Sequence, residues 1–188
     1  MLFKRNRLNV PPPRPPDLPF DEAARDALGG ATAQAQKANA SAVHAEHLLL
    51  ALIADPAGLP ARALTRIGAE PDAVRRRIEH AAPPRPWGVR APVLPFADDT
   101  KGAIEFAMRE ARLAGAREVG TGLLLLGVLQ SPQGVPFRAL AHLNITPATL
   151  RSALAMERNP PVDPHPLDTT RAPRSTLSFR GSAALIHP

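Results

Sequence analysis

The stretch V-H-A-E-H-L-L-L-A-L-I, Val43 to Ile53, holds a dense set of groups able to do chemistry. His44, Glu46 and His47 place two imidazoles and a carboxylate side by side. Such groups can bind a divalent metal or move protons for a hydrolase. The spacing is not H-E-x-x-H, the chain has no cysteine, and no third ligand is evident in the sequence. A metal-dependent hydrolase is therefore disfavoured, and no metal or cofactor is expected. Glu46 has two open readings: it pairs a cationic ligand, or it steadies the first turn of a buried helix. A second cluster is Phe96, Lys101, Glu105 and Met108. Its last three members recur at i, i+4 and i+7 and so share one face of a helix. It reads either as a groove wall or as a core phenylalanine beside a solvated Lys–Glu pair. No Ser-His-Asp order or paired-carboxylate site stands out, so the chain is expected to be non-enzymatic.

The elements that position these residues are given by a duplication. Val119 to Leu129, V-G-T-G-L-L-L-L-G-V-L, copies Val43 to Ile53 at an offset of 76. Leu18-Pro19-Phe20 recurs as Leu94-Pro95-Phe96, and Ala27, Ala31 and Ala35 recur as Ala103, Ala107 and Ala111. Pro56, Gly58, Pro60 and Arg62 recur as Pro132, Gly134, Pro136 and Arg138. A tandem repeat of this length fixes the fold before any single motif does.

Each copy reads as four helices. The first runs from about Asp21 to Lys37 and from about Asp98 to Ala114, with Asp21 and Asp98 as N-caps. Gly29-Gly30 weakens the first copy by about 1 kcal/mol per glycine relative to alanine. The second helix is the motif, apolar nearly all round and hence buried; Thr121 is expected to cap its second copy. Asp55-Pro56 and Ser131-Pro132 stop it. The third starts near Pro60 and Pro136 and ends at Gly68 and Asn144, residues that tolerate the left-handed C-cap. The fourth starts at Pro71 and Pro147, the latter after Thr146. The expected fold is all-α, two tandem four-helix repeats packed with pseudo-twofold symmetry. Residues 18–158 form the double domain, with repeat one at 18–79, a linker at 80–93 and repeat two at 94–157. Residues 1–17 and 159–188 are expected to be disordered proline-rich tails.

The formal net charge is +6, and half of it lies in residues 1–17. With no tyrosine and one tryptophan, aromatic stacking groups are scarce. No nucleic-acid partner is therefore expected. The basic start is followed by prolines, not by an apolar run, so it is no signal peptide. No run is long enough to cross a bilayer. A cytoplasmic, membrane-free protein is expected.

With the motif, its offset and the helix order in hand, the chain resembles the Clp N-terminal domain. That double-repeat module precedes the ATPase domains of the ClpA, ClpB and ClpC unfoldases. The ClpC-type pattern, approximately F-T-x-x-A and G-T-E-H-L-L-L-G-L-L, appears as F-D-E-A-A from Phe20 and A-E-H-L-L-L-A-L-I from Ala45. It returns as F-A-D-D-T from Phe96 and G-T-G-L-L-L-L-G-V-L from Gly120. The chain carries no G-x-x-x-x-G-K-[ST], so it is expected to stand free of ATPase modules. The resemblance implies binding of protein or peptide segments, arginine-phosphorylated ones among them, through Glu46 and His47. It also implies Clp ATPase or protease components as partners, as an accessory factor or decoy. A further implication is binding of cyclic peptide antibiotics, a protective role, in a groove at Phe96, Lys101 and Glu105. Gly122-Leu123 replaces Glu-His in the second copy, so only one guanidinium site carries over.

Overall fold

The computed structural model describes residues 18–82 and 93–158. The expected arm 1–17, tail 159–188 and most of the linker lie outside the described residues. Eight helices follow in order: α1 Glu22–Lys37, α2 Ala45–Leu52, α3 Leu59–Arg66, α4 Pro71–Ala81, α5 Asp98–Leu113, α6 Thr121–Val128, α7 Val135–Ala141 and α8 Pro147–Arg158. The described residues contain no named strand, so the all-α, four-plus-four expectation holds. None of these helices is long and apolar enough to cross a membrane.

The duplication is interlocked. Val43 N–H donates to the Pro95 carbonyl at 2.8 Å, and Ala97 N–H donates to the Val43 carbonyl at 2.9 Å. The offset maps this pair onto its mate: Val119 N–H to Pro19 O at 2.8 Å and Asp21 N–H to Val119 O at 3.1 Å. The L-P-F segment of each repeat is thus bonded to the residue before helix two of the other. The helices obey the same operation. α1 packs on α2 and α5 on α6 within a repeat, whereas α3 packs on α8 and α4 on α7 across repeats. Helices α2 and α6 meet at the pseudo-twofold axis. One apolar core results, with Leu48, Leu49, Leu124 and Leu125 fully buried at its centre.

Local signals mostly fall where residue chemistry puts them. Asp21 caps α1, its Oδ1 accepting from Ala24 N–H at 2.7 Å. Gly68 and Asn144 end α3 and α7 at φ values of 79° and 58°. Thr146 Oγ1 accepts from Thr149 N–H at 3.1 Å at the start of α8. Two caps differ from expectation. Ala97, not Asp98, is the N-cap of α5, and Gly120, not Thr121, is that of α6. In each case the inter-repeat bridge holds the chain extended, and the helix begins directly after it. Helix α4 also runs to Ala81, two residues past the expected end of repeat one.

The two cross-repeat seams are not equal. On the α3/α8 side, Arg62 Nε donates to Glu157 at 2.9 Å and Arg66 donates to its other carboxylate oxygen. On the α4/α7 side the equivalent of Glu157 is Ala81, so this latch is one-sided. Hydrogen bonds from Arg62 and then Arg66 hold the Glu157 carboxyl below its ordinary value of 4.5. A carboxyl so lowered stabilises the fold above its unfolded pKa, and that contribution is lost as pH falls through the folded value. The melting temperature of the wild type should therefore fall more than that of Glu157→Gln between roughly pH 5 and pH 3. Equal slopes in a thermal-melt series would show that the latch contributes nothing to stability.

Candidate functional site

Glu46 and His47 stand in the first turn of α2. They are 3% and 5% exposed and line a cavity of about 440 Å³ between the C-terminal part of α1, the start of α2 and α4. Lys37, Arg75 and Glu79 line the same cavity, with Leu50 and Ile78 as apolar wall. His44 N–H donates to His47 Nδ1 at 3.0 Å. The sequence motif and two distant cations therefore converge on one pocket. Lys37 and Arg75 carried no signal in the sequence, because their place depends on how α1 and α4 flank α2.

The imidazole–carboxylate cluster is arranged differently from its appearance in the sequence. His47 is turned to the backbone, and Asp99 of repeat two takes its place. One donor atom each from His44, Glu46 and Asp99 lies within 4.8 Å of the others. Asp99 Oδ2 stands 3.4 Å from His44 Nδ1 and accepts from Ala45 N–H at 3.3 Å. Its Oδ1 accepts from Thr100 N–H at 2.8 Å. Asp99 thus caps α2 from across the repeat boundary. Both carboxylates sit at helix N-termini, whose partial positive charge stabilises them as anions. The geometry supplies the third ligand type that the sequence did not, but it assigns that group a capping role.

The second cluster lies along α5. Lys101 and Glu105 are exposed, and Lys101 Nζ pairs with Asp98 at 3.1 Å. Met108 and Phe96 are half-buried and pack against the core, Phe96 within the bridge to Val43. None of the four residues lines the cavity at Glu46.

The offset carries that cavity onto a second one. Glu110, Ala114, Gly122, Leu123, Leu126 and Arg151 stand where Gln34, Ala38, Glu46, His47, Leu50 and Arg75 stand in the first. Leu154, Ala155 and Arg158 likewise replace Ile78, Glu79 and Ala82. The second cavity measures about 210 Å³. The molecule therefore has two pockets of common origin, and only the first has a carboxylate on helix two.

A family profile described as "Clp repeat (R) N-terminal domain" matches residues 19–135, more than half of the chain. The chain is 31% identical over 133 residues to the chloroplastic chaperone protein ClpC1 of Arabidopsis thaliana, covering 71% of this chain and 14% of that protein. A chloroplastic ClpA homologue of Brassica napus, an ATP-binding subunit of the ATP-dependent Clp protease, is also 31% identical over 133 residues, 15% of its length. The chain thus spans about a seventh of the length of these relatives. The N-terminal domain of ClpD from Arabidopsis thaliana superposes at a TM-score of 0.58 and 22% identity, covering 74% of this chain and 96% of that one. The Hsp104 N-terminal domain of Candida albicans superposes at 0.64 and 15% identity, covering 75% and 92%.

Proposed function

The chain belongs to the Clp N-terminal repeat domain family, and on that premise we propose that it is a non-catalytic module that binds protein or peptide segments. The cavity at Glu46 is its guanidinium-recognising site, and a phosphorylated arginine is the ligand group that fits it best. The observation that carries this reading is the mixed charge of the cavity. Glu46 and Glu79 face Lys37 and Arg75 in one space of about 440 Å³. A phosphorylated arginine presents a planar guanidinium bonded to an anionic phosphoryl group. Carboxylates pair the first by parallel hydrogen bonds and cations pair the second. In this role the module would act beside a Clp ATPase as an accessory factor, or as a decoy for its substrates.

A second reading is favoured by the 3% exposure of Glu46: a carboxylate that only steadies the first turn of α2. Fluorescence anisotropy with a labelled arginine-phosphorylated peptide separates the two. Glu46→Gln keeps the side-chain size and removes the charge. Losing a charge-assisted bond costs about 1.5–3 kcal/mol, so affinity should drop roughly tenfold to hundredfold with the helical fold intact. A variant that melts lower yet binds as tightly as wild type would leave the steadying role alone.

A further inference from the structure

The two pockets have diverged in net charge as well as in size. In the second, Gly122 and Leu123 replace Glu46 and His47, and Ala155 replaces Glu79. The wall becomes Leu123, Leu126 and Leu154, with no acid left on helix two. At the rim Arg158 replaces Ala82, adding a cation. Arg151 is retained and faces Glu110 at 3.4 Å, so the pocket holds two guanidinium groups against one carboxylate. Beside it, the equivalent of the pocket-lining Lys37 is Leu113, which is 78% exposed. A leucine so exposed contributes little to the core.

Resting on the reading of the chain as a segment-binding module, we propose that the second pocket recognises an acidic peptide segment anchored by one apolar side chain. The anchor enters the leucine-lined space of about 210 Å³, and flanking carboxylates meet Arg158 and Arg151. A guanidinium ligand is excluded there, since no carboxylate on α6 would pair it and the arginines would repel it. The module then carries two specificities on one duplicated frame, one for a modified basic side chain and one for an acidic–apolar segment. Charge complementarity selects the partner, and the leucine wall supplies the affinity.

The test is fluorescence anisotropy with a labelled acidic nonapeptide bearing one central leucine. Its controls are the same peptide with alanine at the centre and with lysines in place of the acids. The acidic leucine peptide should bind, more weakly as salt rises, and both controls should bind at least roughly tenfold more weakly. Arg158→Glu should weaken it roughly tenfold, while Arg158→Lys should retain most of the affinity. Leu123→Gln should weaken it without changing the salt dependence. Circular dichroism of each variant guards against unfolding. Equal binding of the lysine peptide, or no effect of Arg158→Glu, overturns the proposal. So does peptide binding seen only after removal of residues 159–188, which would make that tail the occupant. Free phosphoarginine titrated into Arg158→Glu reads the first pocket separately, so failure of one ligand does not decide the other.

Discussion

Gly127→Ala should lower the melting temperature by on the order of 10 °C, the largest effect expected of a single methyl group in this chain. A β-carbon at 127 would overlap the Ala103 carbonyl oxygen and lie 3.0 Å from its carbon. Both belong to the α5 backbone, so relief requires moving a helix, not a side chain. Overpacking of that kind costs about 3 kcal/mol. The equivalent of Gly127 in repeat one is Ala51, and the difference is compensated on the facing helix. Gly30 on α1 leaves room for Ala51, the two approaching to 3.3 Å if a β-carbon is added at 30. Its equivalent on α5 is Phe106, which is buried. The two helix pairs therefore place their glycine on opposite partners. Gly29 is the control. A β-carbon there meets nothing within 4 Å, so Gly29→Ala should raise stability by about 1 kcal/mol. A Gly127→Ala melt within a degree or two of wild type would contradict the close approach of α5 and α6.

Neither repeat should fold by itself. Residues 18–82 and 93–158, produced separately, should lack a cooperative melting transition and most of their helical circular dichroism. Mixed, they should recover both. The reason is the exchange of elements between repeats. Isolated, repeat one loses the bonds from Val43 to Pro95 and Ala97 and those from Pro19 and Asp21 to Val119. It also exposes the faces of α3 and α4 that pack on α8 and α7. Thr100 Oγ1, fully buried, would lose the Val43 carbonyl that it reaches at 2.8 Å. Single helices of this length are marginal in water without such packing. A cooperative transition in residues 18–82 alone would show that the repeat, and not the pair, is the folding unit.

The fold was legible because its rules are local and stated twice. Pro60 and Pro136 open helices and Gly68 and Asn144 close them, and each signal is confirmed by its copy. What was not legible depends on contacts far apart in the chain. Asp98 and Thr121 are good capping residues by type, yet the inter-repeat bridges start their helices one residue earlier. Asp99 caps α2 from 54 residues away, a relation no spacing rule contains. At the site, Glu46 and His47 were visible as a motif, whereas Lys37, Arg75 and Glu79 were not, because only the packing of α1 and α4 brings them to it. The loss of Glu46's counterpart at Gly122 was visible. That Arg158 accompanies it required the second pocket's outline.

The duplicated frame is proposed to hold one guanidinium site and not two. Isothermal titration calorimetry with free phosphoarginine on the intact chain tests it most directly. A single site per chain is expected in the wild type, and its affinity should fall roughly tenfold to hundredfold in Glu46→Gln. No heat of binding, two equivalent sites, or equal affinity in Glu46→Gln would contradict it.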